Sequence, residues 1–164
     1  MNLRNRPTSG GECLPSNNPM NRSETADPST DRFELPIIVD QSDIDVLGHV
    51  NNTIYLHWVQ EAAVAHWTAV ATEEQYNAVI WVVVRHEIDY LASIKLGEAI
   101  IARTWVGSTV KNYFERHTEI FRTADGKILA RVRTLWCPLD KKSGRPTRVG
   151  EDIRIRFSIP QTGS

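Results

Sequence analysis

Apolar and polar residues alternate from Phe33 to Val39, with Ile38 as the exception, which is the two-residue period of a β-strand. Pro36 lies inside this segment, and because proline lacks a backbone N–H, the strand is expected at an edge of a sheet. Across residues 51–72 apolar residues recur every three or four positions, so this segment is predicted to form one long helix. Its core-facing stripe is assigned to Ile54, Trp58, Glu61, Ala65 and Ala69, with Tyr55, Val59 and Ala62 beside it.

Five later segments are rich in β-branched and aromatic residues, and turn sequences such as TADG and DKKSGRP separate several of them. The segments are AVIWVVVRHEIDYL, EAIIARTWVG, NYFERHTEIFR, KILARVRTLWCPL and IRIRFSI. One strand, a long helix and a run of mainly hairpin-linked strands predict an antiparallel β-sheet wrapped around one central helix. This arrangement belongs to the α+β class.

The first 31 residues differ in composition from the rest of the chain. Residues 1–31 are rich in Ser, Asn, Pro, Gly and Thr, so they are predicted to be a flexible N-terminal tail. The whole chain has 164 residues, of which 41% are hydrophobic, and this is enough to close the core of one domain. That domain is expected over residues 32–160.

Charge and cysteine content narrow the expected partners and location. With 19 basic and 20 acidic residues, the composition favours neither nucleic acid nor a membrane surface as a partner. Cys13 and Cys137 have no metal-binding spacing, so both are expected to be reduced thiols. The chain lacks the roughly 20 consecutive apolar residues of a membrane helix and the apolar core of a signal peptide, so a cytoplasmic location is expected.

A polar cluster stands where the long helix begins, in the segment DIDVLGHVNNTIYLHW at residues 43–58. Its order, D-x-x-G-H-V-N-N-x-x-Y followed by a Trp and a Glu, resembles the signature of hotdog-fold thioesterases of the 4-hydroxybenzoyl-CoA thioesterase family. Plant acyl-ACP thioesterases carry a similar HVNN segment. The resemblance covers about residues 33–157 through the order of strand, helix and strands. It is sharpest in the motif itself, whose residues are Asp45, Gly48, His49, Val50, Asn51, Asn52, Tyr55, Trp58 and Glu61.

The resemblance implies a hotdog fold and a site at a subunit interface near the helix N-terminus, in a homodimer or homotetramer. It also implies hydrolysis of an acyl thioester without metal or organic cofactor, coenzyme A being part of the substrate. In one branch of the family an Asp at the position of Asp45 is nucleophile or general base, and the backbone N–H at the position of Asn52 binds the thioester carbonyl. The plant branch uses a His at the position of His49 and an Asn where this chain has Leu47.

The residue types of this segment suit thioester hydrolysis. The reaction needs a base or nucleophile near the carbonyl carbon and donors aimed at the oxygen that becomes negative. Asp45 offers the carboxylate, the first turn of the helix offers unsatisfied N–H groups, and His49 is expected to orient substrate or water. The neighbouring positions predicted to bind substrate are Gly48, Val50, Asn51, Asn52 and Tyr55. Alternatively, the Asp and Asn residues serve only as turn and cap residues.

Glu61 lies on the stripe assigned to the core and is a candidate second base, or else a buried acid satisfied by a neighbouring donor. His57 and Glu61 are four residues apart, but no third ligand stands at a recognisable spacing, so no metal site is predicted. Arg131 and Arg133 point the same way on a strand and are candidates for binding the phosphates of coenzyme A. A solvated outer sheet face explains these two arginines equally well.

The sequence leaves alternatives for the roles of three aromatic residues and for the substrate. Trp58, Trp81 and Tyr90 either line an acyl pocket or belong to the core. The chain contains no GxSxG, GxxxxGK[ST] or GxGxxG motif, so it is not expected to be a common serine hydrolase or a nucleotide-binding protein. The sequence therefore predicts an acyl-CoA thioesterase. The alternatives are an acyl-ACP thioesterase and a hotdog module that binds acyl-CoA without cleaving it.

Overall fold

The structure, a computed structural model, describes residues 32–110 and 112–157 of the chain. Five strands and three α-helices make up this part of the chain. They are β1 (Arg32–Ile38), α1 (Asn52–Val70), α2 (Glu73–Ala78), β2 (Val79–Tyr90), β3 (Ala99–Val110), β4 (Tyr113–Arg122), β5 (Ile128–Asp140) and α3 (Glu151–Arg156). The predicted tail and the domain limit at residue 160 lie outside the described residues, and so does Cys13.

The strands form one antiparallel sheet in the order β1-β3-β4-β5-β2, which confirms the predicted α+β class. Among the described strands β1 pairs only with β3, so Pro36 lies on an edge strand as expected. The other edge is β2, which pairs with β5 and has a bulge between Val83 and Arg85. Because β1 and β2 stand at opposite edges, the chain between them carries α1 across one face of the sheet.

Helix α1 packs on that face, and its buried residues fix which side of the helix meets the sheet. They are Tyr55, Trp58, Val59, Ala62, Ala63, His66 and Trp67. The long helix was therefore predicted correctly, but its core-facing stripe was assigned about one residue out of phase. Glu61 is exposed, so its expected burial is wrong. The apolar core between helix and sheet includes Val39, Ile100, Ile120 and Val132.

The segment IRIRFSI, predicted as a strand, instead begins in a short helix, α3. A strand would place Ile153, Ile155 and Phe157 on one face, whereas in a helix Ile153 and Phe157, four residues apart, share a face and Ile155 does not. Ile153 and Phe157 are accordingly buried in a cluster with Trp67, while Ile155 is 70% exposed. Acidic residues in the first turn and arginines in the last turn also suit the helix dipole.

Two remaining expectations concern Cys137 and membrane segments. Cys137 is buried as a thiol in β5. Within residues 32–110 and 112–157, no helix combines the length and the apolar character that crossing a membrane requires.

Candidate active site

The segment that leads into α1 is a tight turn that reverses the chain between Asp45 and His49. The Asp45 N–H donates to the His49 carbonyl at 2.9 Å, and the Gly48 N–H donates to the Asp45 carbonyl at 3.0 Å. Gly48 has a φ of 77°, a left-handed conformation that glycine adopts without strain. The turn thus places Asp45 and His49 side by side in the backbone, just before the helix.

Backbone hydrogen bonds fasten this turn to the rest of the fold. The N–H of Val50, a buried residue, donates to the Ile94 carbonyl at 2.9 Å. The Asn51 N–H donates to the Asp43 carbonyl at 2.8 Å. The first bond ties the turn to the loop after β2, and the second closes the segment on itself just before the helix, so Asp45 is held close to the first turn of α1.

The Asp45 carboxylate is half-buried and only partly used by the turn. Its Oδ1 accepts a hydrogen bond from the Leu47 N–H at 2.8 Å. No other donor among residues 32–110 and 112–157 contacts the carboxylate, and the same holds for the ring of His49. Both side chains are therefore available to a ligand or to water.

The start of α1 leaves one backbone donor open. Asn51 is the N-cap residue, and its side-chain oxygen accepts from the Thr53 N–H at 3.0 Å. The Ile54 N–H donates to the Asn51 carbonyl at 2.9 Å. In the described part of the chain no acceptor faces the N–H of Asn52, which stands at the positive end of the helix dipole. A carbonyl oxygen or a small anion would complete this position.

Tyr90, at the end of the edge strand β2, contacts the same helix start. Its hydroxyl donates to the Asn52 carbonyl at 3.1 Å, and its ring meets Tyr55 edge to face at 5.1 Å. Burial raises the pKa of Tyr55 to about 12, so that phenol stays neutral at ordinary pH. The sequence suggested Tyr90 only as an acyl-pocket or core residue, because the hydroxyl contact joins positions 38 residues apart.

The structure thus gathers one group of predicted site residues and leaves three others apart. The residues gathered at the start of α1 are Asp45, Gly48, His49, Val50, Asn51, Asn52 and Tyr55. Glu61 lies nine residues further along α1, about 13 Å in helical rise. Its Oε1 is 3.2 Å from the His57 Nε2, and both side chains are exposed. A role for Glu61 as a second base stays a prediction.

Arg131 and Arg133 lie on the sheet face opposite α1, because Val132, the residue between them, faces the core. The Arg131 Nε is 3.3 Å from Glu119 Oε1, and the Arg131 side chain is 51% exposed. Arg133 forms ion pairs with Glu87 and Glu115. These contacts account for both arginines as parts of the outer sheet face, and phosphate binding by either of them stays a prediction.

A buried polar pair escaped the sequence analysis. His66 and Arg116 lie between α1 and β4, with 3.0 Å between the His66 Nδ1 and the Arg116 Nη1. His66 lies on the buried side of the helix, four residues after Ala62. This spacing was the one feature of the sequence that could have predicted the burial of His66. Arg116 stands in a strand beside other charged residues, so nothing in its neighbourhood marked it as buried.

Comparison with known proteins identifies relatives of this fold. The family model described as the thioesterase-like superfamily matches residues 39–157. A chloroplastic palmitoyl-acyl carrier protein thioesterase of Cuphea hookeriana is 26% identical over 110 residues, which are 66% of this chain and 26% of that protein. A similar protein of Gossypium hirsutum is 23% identical over 109 residues. The chain therefore spans about a quarter of the length of the curated relatives it matches.

Solved structures agree with this result at the level of the fold. A 1,4-dihydroxy-2-naphthoyl-CoA thioesterase from Synechocystis superposes with a TM-score of 0.67 at 16% identity, over 78% of this chain and 96% of that chain. The dynemicin thioesterase superposes with a TM-score of 0.70 at 18% identity, over 80% of this chain and all of that chain. The hotdog fold implied by the sequence motif is confirmed.

Proposed function

Because the chain belongs to the thioesterase-like superfamily, we propose that it hydrolyses an acyl-CoA thioester to a free carboxylic acid and coenzyme A. The observation that carries the proposal is that one short segment holds both a carboxylate with a free oxygen and a backbone donor without an acceptor among the described residues. These are the Asp45 carboxylate, which the turn engages through one oxygen only, and the Asn52 N–H, which has no acceptor among the described residues. Thioester hydrolysis needs one group of each kind.

In the proposed reaction, the thioester carbonyl oxygen accepts a hydrogen bond from the Asn52 N–H. This donor and the helix dipole stabilise the negative charge that develops when the carbonyl carbon is attacked. As a general base, Asp45 takes a proton from the attacking water and returns it to the departing thiolate sulfur as the C–S bond breaks. As a nucleophile, Asp45 forms a mixed anhydride and expels the thiolate, and water then hydrolyses the anhydride. His49 orients the substrate or the water.

The decisive variant is Asp45→Asn. An amide can neither accept the proton from water nor form the anhydride efficiently, so turnover should fall by about 10²-fold or more. The measurement is thiol release from short, long and aromatic acyl-CoA esters by the wild-type protein and the variant, with thermal unfolding recorded for both. Unfolding should change little, because the amide oxygen can still accept from the Leu47 N–H.

Asp43→Asn is the matched control, because Asp43 carries the same group two residues earlier. Its carboxylate accepts from the Asp40 N–H at 3.1 Å and serves the local turn. We expect this variant to retain most of the wild-type turnover. Near-normal thiol release by Asp45→Asn would contradict the assignment of Asp45.

An acyl-ACP thioesterase is the second candidate, favoured by the similarity to the plant palmitoyl-acyl carrier protein thioesterases. Against it, Leu47 occupies the position where the plant branch carries an Asn, and the Leu47 side chain is exposed. Parallel assays with the same acyl group on coenzyme A and on a carrier protein separate the two candidates. Cleavage of the carrier-protein ester alone would favour the second. Saturable acyl-CoA binding with no thiol release would instead indicate a binding module.

A further inference from the structure

An aromatic cavity lies at the other end of α1 from the candidate active site. It is a half-open cavity between the second half of α1, the sheet and α3, with about 690 Å³ of empty space when the adjoining open solvent is counted. Its aromatic lining consists of Trp67, Tyr76, Trp81, Phe114, Trp136 and Phe157. The nearest cavity residue on the helix, Ala63, is eleven residues beyond Asn52, roughly 16 Å in helical rise. The buried side chains of Trp58, Val59 and Ala62 pack between the two places.

One wall of this cavity holds a buried cation. Arg116 is 8% exposed, and its Nη1 lies 3.0 Å from His66 Nδ1 and 3.2 Å from Thr104 Oγ1. Within residues 32–110 and 112–157 no carboxylate forms an ion pair with it. Burial lowers the pKa of Arg116 to about 10, so the guanidinium is still charged at neutral pH. A buried charge without a counter-charge is costly, because it has lost its hydration.

Two indole N–H groups near this buried charge also lack hydrogen-bond acceptors among the described residues. The Nε1 atoms of Trp81 and Trp136 are buried and find no acceptor in the described part of the chain. Glu115 also borders the cavity, but its carboxylate is engaged by Arg133 and by Ser108 Oγ. The cavity therefore presents apolar walls together with unsatisfied donors and one positive charge. A ligand that brings an acceptor with negative charge would satisfy them.

We propose that this cavity binds a ligand with an apolar or aromatic body and a carboxylate, with the carboxylate directed to Arg116. The aromatic walls bury the body of the ligand, and the indole N–H groups of Trp81 and Trp136 donate to its oxygens. The site is separate from the Asp45 turn, so the inference does not depend on the proposed hydrolysis.

The test compares two ligands that differ only in the head group. Phenylbutanoate and phenylbutanol are titrated into the full chain by isothermal titration calorimetry. Because a charge-assisted hydrogen bond discriminates strongly inside a protein, the carboxylate should bind roughly 10-fold or more tightly than the alcohol. In Arg116→Met this preference should disappear. Arg145→Met, the same substitution at an exposed position in the turn after β5, should keep it.

Folding is checked by thermal unfolding of each variant without ligand. Arg116→Met removes an uncompensated buried charge but also the hydrogen bonds to His66 and Thr104, and because these two effects on stability have opposite signs, the variant should stay folded. Arg116→Gln, which keeps a donor without the charge, is the second variant and should lose the preference in the same way. Equal wild-type affinity for the acid and the alcohol, absence of binding, or an unchanged preference in a folded Arg116 variant would overturn the inference. The wild-type comparison decides the matter even if neither variant folds.

Discussion

At the scale of single residues, Glu115 has the most strongly perturbed carboxylate environment on the outer side of β4. Its side chain is 5% exposed, and it accepts hydrogen bonds from Arg133 and from Ser108 Oγ, the latter at 3.1 Å. His117 Nε2 lies 3.7 Å from its Oε2. Burial alone would raise the pKa of Glu115, but the nearby His117 ring, the hydrogen bond from Arg133 and the charge of Arg133 outweigh it and lower the pKa to about 2.

This depressed pKa predicts a pH-dependent part of the folding stability. The ionised carboxylate stabilises the folded state fully above its ordinary pKa of about 4.5, and the contribution is lost as the pH falls from there toward 2. We expect the free energy of unfolding to drop by about 1–3 kcal/mol over this window through Glu115. Urea unfolding at a series of pH values measures the drop.

Substitution isolates the contribution of Glu115 from that of the other carboxylates. Glu115→Gln should be less stable than the wild type at neutral pH and should show a shallower loss below pH 4.5. Glu119→Gln is the control, since Glu119 pairs with the half-exposed Arg131 and surface pairs contribute little. Identical pH slopes for wild type and Glu115→Gln would contradict the assignment.

The sequence predicted the residues of the candidate site only where they are close together along the chain. Asp45, His49 and Asn52 form one local motif, so a single turn and a helix start place them together. Glu61 was wrongly assigned to the core because the spacing of apolar residues locates the buried side of a helix only to within about one residue. A shift of one residue is enough to move a side chain from the core to the solvent, and Glu61 is exposed. Arg116 and Tyr90 depend on contacts across 50 and 38 residues, which a linear pattern does not contain.

At the scale of elements, the start of α1 permits a direct test of a backbone donor. Asn52 is the first residue of the helix, a position where proline is well tolerated because its N–H has no intrahelical partner. Asn51 has φ −60° and ψ 135°, which is the conformation required of a residue before proline. Asn52→Pro should therefore fold normally while lacking the donor proposed to bind the carbonyl oxygen.

The expected result is a loss of about 10²–10³-fold in kcat, the range for removing one oxyanion donor. Thiol release and thermal unfolding are measured on the same preparations. Asn52→Ala keeps the N–H and should lose far less activity. If Asn52→Pro is folded and as active as Asn52→Ala, the backbone of residue 52 does not bind the oxyanion.

Helices and strands were predicted well where the segment was long and its hydrophobic residues followed the period of one type of secondary structure. The four long strands and α1 were found because each combines a clear pattern with enough residues to bury a face. α3 was missed because Ile153, Ile155 and Phe157 alternate with arginines, which is the strand period, and the six-residue helix Glu151–Arg156 is too short to show a helix period. The contact of Ile153 and Phe157 with Trp67 decides between them, and that contact is tertiary. The six-residue helix α2 was too short to produce a pattern.

At the scale of the whole molecule, the strand order could not be predicted, and it leaves β2 as a long edge. Val79–Tyr90 pairs with β5 on one side, and no described strand pairs with the other. The outer sheet face beside this edge is apolar, with Ile80, Val82 and Val84 packed around Tyr113, Cys137 and Leu139. A long edge strand without proline is prone to pair with another strand.

We therefore predict that the homo-oligomer implied by the motif is built on a dimer in which two copies of β2 pair antiparallel about a two-fold axis. Val84 is the residue skipped in the β2–β5 register, so it has no partner position on β5. Proline is tolerated at a bulge but cannot donate across an edge. Val84→Pro should thus preserve the folded chain and weaken the dimer.

Light scattering coupled to size-exclusion chromatography measures the mass of each species. The wild type should have an even multiple of the mass of one chain, and Val84→Pro should shift toward the single chain on dilution. Val84→Thr, which is also β-branched and keeps the N–H, should remain associated. Because Tyr90 at one end of β2 contacts Asn52, antiparallel pairing would place the Val79 end of the partner strand beside the candidate active site. Loss of turnover together with dissociation in Val84→Pro would show that the site needs both copies, whereas a fully active monomer would show that one chain suffices.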